Sequence, residues 1–154
     1  MLSLTLFEYL ARTLPEAFIL ILSINILCGV KVKRNEYVIC SVLFSLLEYL
    51  VRRLPINYGV HTMINIFVMI ALITIFYKVD ILMSIKASML CTIFLFVCEA
   101  LNMLFLNLLF GNNIQSLMDN NITKTLCGIP SLIIYLFITV IIYVIKKRKK
   151  NEYY

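Results

Sequence analysis

Apolar residues run in long unbroken stretches along this chain, and polar residues gather between them. A helix needs about 20 apolar residues to cross a bilayer. Five stretches meet or approach that length: 14–30, 37–51, 60–77, 87–110 and 126–145. The first two are short, the fourth is the longest and the fifth the clearest. Runs of this kind exclude an outer-membrane barrel, whose strands alternate polar and apolar over about ten residues. The pattern predicts an all-α, polytopic transmembrane helical bundle of about five spans. The whole of 1–154 reads as one transmembrane domain, closed by a basic cytoplasmic tail over 146–154. The links are short, with Gly-Asn-Asn and Asp-Asn-Asn marking turns in the last of them. No internal repeat is visible, and five spans do not divide into two inverted halves.

Composition agrees with this pattern. Of the 154 residues, 62% are hydrophobic and 14% charged, against about 45–50% and about 25% in an average soluble domain. So much apolar surface excludes both a soluble globule and a disordered chain. The start, MLSLTLFEYLARTLPEAF, has no basic region ahead of its apolar stretch, so no cleavable signal peptide is expected.

Charge then sets the orientation. The net charge is +6, but Lys146, Lys147, Arg148, Lys149 and Lys150 form one run directly after the fifth stretch. Such a run is a topology signal and an anionic-lipid contact, and no basic face or RNA-binding motif accompanies it. Nucleic acid is therefore not an expected partner. With the N-terminus outside, the inner segments hold Lys31, Lys33, Arg34, Lys78, Lys86 and the five-residue run. The outer segments hold only Arg12, Arg52, Arg53 and Lys124. Ten against four predicts N-out, C-in. Reporter fusions after Arg34 and after Asn120 are expected to report the cytoplasm and the exterior respectively; a cytoplasmic signal at Asn120 overturns the assignment.

Polar side chains within the spans carry the remaining information, because lipid tolerates them only when they face protein or water. In the second span Ser41, Ser45, Glu48 and Arg52 fall on one helical face. In the fourth, Ser88, Thr92, Glu99 and Asn102 do the same. Glu8, Arg12 and Glu16 are four apart, as are His61 and Asn65. On the predicted orientation these groups lie at similar depth, biased to the outer leaflet, and predict an outward-facing polar cluster. Its candidate ligand-binding or coupling residues are Glu16, Glu48, Arg52, Arg53, His61, Glu99 and Asn102. Each also has a structural reading: an ion pair for Glu48 and Arg52, interhelical hydrogen bonding for the asparagines, an interfacial His61. Glu99 lacks a basic residue in helical reach, so it needs a partner on another helix, with Arg52 or Arg53 expected.

No catalytic constellation emerges, and the chain does not read as an enzyme. There is one histidine, no phosphate-cradling glycine loop and no H-E-x-x-H. The His-to-Cys spacing of seven found in cyclic-peptide-processing membrane peptidases is missing, since Val68 stands at that position. The five cysteines, Cys28, Cys40, Cys91, Cys98 and Cys127, lie in apolar stretches without zinc spacing and read as small apolar filler. No metal or cofactor is expected.

The stretch EYLVRRLPINYGVHT, residues 48–62, resembles the membrane-embedded N-terminal sensor region of Firmicutes histidine kinases with GHKL-type catalytic domains. Glu16, the Arg-x-Leu-Pro…Gly-x-His-Thr hairpin, Glu99 and the Gly-x-Pro of Gly128–Pro130 carry the likeness, most of it in about fifteen residues. Those kinases continue into dimerisation and ATP-binding domains that residues 1–154 do not contain. The resemblance implies signal reception, not phosphotransfer. The expected function is a signal-sensing or regulatory module of a Gram-positive-like cytoplasmic membrane. It would bind a small ligand or peptide and signal to a partner membrane or cytoplasmic protein, with membrane lipid around it and homo-oligomers allowed. The alternative is a small substrate-binding subunit of a membrane transporter. A structural assembly subunit with purely internal pairing is a third reading.

Overall fold

The computed structural model describes residues 8–54, 58–110 and 121–152. The described residues form five α-helices: α1 (Leu14–Cys28), α2 (Arg34–Arg53), α3 (Tyr58–Tyr77), α4 (Ile81–Phe110) and α5 (Asn121–Glu152). A π-helical turn, Tyr9–Thr13, leads directly into α1. Residues 55–57 of the expected outer hairpin and 111–120 of the last link lie outside the described residues.

The helices reach beyond the apolar stretches that predict them. Hydropathy sees only the part of a helix that lipid requires to be apolar, whereas the backbone continues helically through flanking polar residues. Thus α4 starts at Ile81, and α5 carries the basic run 146–150 inside the helix instead of in a tail. Lysine and arginine are good helix formers, and cations suit a helix C-terminus. Residues 8–13 are likewise helical. Pro15 there cannot donate a backbone hydrogen bond, and its ring crowds the carbonyl four residues back. The turn before it widens accordingly, with the Leu14 amide bonded to the Tyr9 carbonyl, five residues away. At the other end Gly29, in the left-handed region at φ 69°, closes α1.

Helices α1, α2, α3 and α4 pack in sequence, α4 closes back onto α1, and α5 lies against α1 and α4. Helix α1 is central, touching α2, α4 and α5. Its Ala17, Leu20, Ile21 and Ile24 meet Phe44 of α2, Ile73 of α3, Cys91 of α4 and Tyr135 of α5 in one core. All five cysteines are free thiols, four of them buried.

Four helices are long and apolar enough to cross a membrane, and the chain is a multi-pass membrane protein. The exception by composition is α2, which holds five charged residues. Its burial pattern shows why it still belongs with the others. It buries Ser41, Ser45 and Glu48 and turns Ile39, Leu46 and Leu50 outward. A helix of a water-soluble protein does the reverse. Polar residues inward and aliphatic residues outward suit a helix surrounded by hydrocarbon.

Candidate functional site

The charged residues of the N-terminal turn, α1, α2 and α4 converge. Arg12 donates to Glu99 across 2.7 Å, joining the turn before α1 to α4. Glu99 therefore takes Arg12 as partner, not Arg52 or Arg53. Arg12 rides on the turn continuous with α1, and α1 packs on α4, whereas α4 and α2 do not pack together among the described residues. Arg52 instead pairs within its own helix, donating to Glu48 at 2.5 Å. This is the i, i+4 pair that the sequence spacing allows.

Between the two pairs sits Glu16, which is 4% exposed. It lies within electrostatic reach of Glu48, Arg52, Arg12 and Glu99, while Arg52 also feels Glu8. The network thus joins four carboxylates to two guanidinium groups. Several of its atoms are buried with no hydrogen-bond partner: Oε2 of Glu16, Oε2 of Glu48 and Nε of Arg12. Unmet polar groups of this kind are costly away from water. The arrangement is held by its surroundings: the Tyr9 ring stacks edge-on to Tyr49 at 5.2 Å and its hydroxyl meets that of Ser45 at 3.0 Å. From α5, Gly128 approaches the guanidinium of Arg12 so closely that a Cβ there would lie 3.1 Å from it. Glycine allows this approach because it has no side chain.

The other sequence candidates stand apart from this network. Arg53 is exposed, stacked on the Tyr49 ring 4.6 Å from its centroid and donating to the Tyr49 hydroxyl. Asn102 is buried and donates to the Cys127 carbonyl at 2.7 Å, tying α4 to α5. That matches its reading as interhelical hydrogen bonding. His61 and Asn65 share α3, which packs on α2 and α4. Among the described residues neither makes a hydrogen bond or ion pair to the charged network, and Nδ1 of His61 and Oδ1 of Asn65 are buried without partners there. Direction around each helix separates these residues from the network.

Arg12 is the residue that sequence reasoning did not rank. A signal was available: Glu8, Arg12 and Glu16 are spaced four apart, which aligns them on one face of a continuous helix. The five-residue group of Ser131, Pro130, Ile129, Gly128 and Cys127 is also more than a helix end. Pro130 interrupts the α5 backbone bonding, Ser131 bonds back to the Gly128 carbonyl at 2.6 Å, and Gly128 admits Arg12. Among the described residues no group of three or more His, Cys, Asp or Glu is arranged to hold a metal ion. No protein-family model, curated protein or solved structure matches the chain.

Proposed function

We propose that this chain is a membrane signal-sensing or regulatory module of a cytoplasmic membrane. It binds a small ligand or peptide at the polar network of Arg12, Glu16, Glu48, Arg52 and Glu99. The observation that carries this reading is the incomplete pairing of that network, with charged side-chain atoms buried and unbonded on three of its members. A ligand that supplies the missing partners gains hydrogen bonds in a low-dielectric site and stabilises whichever helix arrangement offers them. Because the Arg12–Glu99 pair spans two helices, re-pairing either end changes how α1 sits on α4. That shift is the signal, passed to a partner protein at the basic inner end of α5. The resemblance of residues 48–62 to histidine-kinase sensor regions supports reception, and no step of chemistry is assigned.

The test is affinity purification of the full chain from its native membrane, with mass spectrometry of co-purifying proteins and small molecules. A ligand or partner response that Glu99→Gln and Arg52→Gln abolish is the expected result. A response unchanged by both substitutions overturns the site. Substrate uptake that depends on a co-purifying ATPase would replace sensing with transport.

A further inference from the structure

At the opposite end of the bundle, the C-terminal end of α1, the link after it and the last turns of α5 enclose an open cavity of about 860 Å³. That size lies within the roughly 300–1,000 Å³ of small-molecule sites. Two kinds of surface line it. Leu22, Val140 and Tyr143 form an apolar wall, and the last two are half exposed on the outer surface of the bundle. Lys31, Lys146 and Lys147 form a cationic rim. Asn25 lines the interior as well and is fully buried.

We infer that this cavity binds one anionic phospholipid, with its phosphate among the lysines and an acyl chain along Leu22, Val140 and Tyr143. Charge and shape both enter the choice. Lys146 donates to the carbonyls of Ile26 at 2.9 Å and Leu27 at 2.6 Å, which fixes its ammonium at the cavity mouth. An ammonium carries three donors, so one remains for a phosphate oxygen. Lys31 and Lys147 supply two further charges. A free phosphate would use the lysines and leave the apolar wall idle. A neutral lipid would use the wall and leave the lysines unpaired. Basic pockets between helices at the lysine-rich side of a membrane are where acidic headgroups bind. This site lies away from the Arg12–Glu99 network and does not depend on the function proposed for it.

Native mass spectrometry of the full chain in detergent micelles, with phosphatidylglycerol or phosphatidylcholine added, tests the inference. Wild-type protein is expected to retain one phosphatidylglycerol in preference to phosphatidylcholine, and soluble glycerol phosphate is expected not to displace it. The Lys31→Gln, Lys147→Gln double variant should retain it roughly 30-fold more weakly, at about tenfold or less per lysine. Val140→Trp, which fills the cavity and keeps every charge, should lose it as well. Equal retention of the two lipids by wild type, displacement by glycerol phosphate, or unchanged binding in Val140→Trp each overturns the inference. The wild-type comparison needs no variant to fold.

Discussion

Arg52→Leu is expected to destabilise the protein by about 3 kcal/mol, the low end of the range for breaking a buried ion pair. The reason is the asymmetry of the pair. The Glu48 side chain is 4% exposed and the Arg52 side chain 30% exposed. Removing the arginine leaves a carboxylate enclosed by protein, with its second oxygen already unbonded. Removing the glutamate leaves a guanidinium on a long stem near the helix end, able to reach toward the aqueous boundary. Glu48→Leu should therefore cost about 1 kcal/mol, near the cost of one ordinary hydrogen bond. The double variant should be closer to wild type than Arg52→Leu alone. Unfolding in detergent, followed by circular dichroism for all four proteins, provides the cycle. Equal costs for the two single variants, or a double variant as unstable as their sum, would refute this account.

The cross-helix pair should behave differently. Arg12→Leu is expected to cost about 2 kcal/mol, less than the 3–5 kcal/mol of a fully enclosed pair. Both partners keep some exposure, 21% for Arg12 and 31% for Glu99. Its second consequence is positional, because this pair bridges the N-terminal turn and α4 whereas Glu48–Arg52 lies within one helix. Gly128 offers an independent way to reach it. Gly128→Ala asks the Arg12 guanidinium to give by a few tenths of an ångström, and a flexible side-chain end can do so. Gly128→Leu occupies the space and should displace Arg12 from Glu99, reproducing the loss expected for Arg12→Leu. Cross-linking between cysteines introduced in the turn and in α4 reads the displacement. If Gly128→Leu were additive with Arg12→Leu, Gly128 would act through something other than that guanidinium.

The candidate site was legible in the chain only to the extent that local spacing decides a contact. Glu48 and Arg52 pair as their separation of four allows, because both ride on one rigid helix. The same rule aligned Glu8, Arg12 and Glu16, yet nothing local says that this face turns toward α4. Glu99 needed a cation, and the chain holds several at similar depth. It meets Arg12, which rides on the turn continuous with α1, the helix that packs on α4. Arg53 is one residue from Arg52, about 100° around a helix of 3.6 residues per turn, and that rotation places it outside the network on Tyr49.

Hydropathy and the spacing of charge were enough for an all-α membrane bundle and for the five α-helices of the described residues, because a bilayer penalises each polar residue in an apolar run separately. They were also enough to mark α2 as a helix with one polar and one apolar face. Tertiary structure decided which face of α2 turns inward, since only packing against α1 and α3 can enclose Ser41, Ser45 and Glu48. It chose Arg12 for Glu99, brought Gly128 against that arginine, and opened a cavity between the ends of α1 and α5. Each of these joins residues far apart in the chain. Helical periodicity constrains neighbours within a few turns, and the contacts between helices follow from how their surfaces fit.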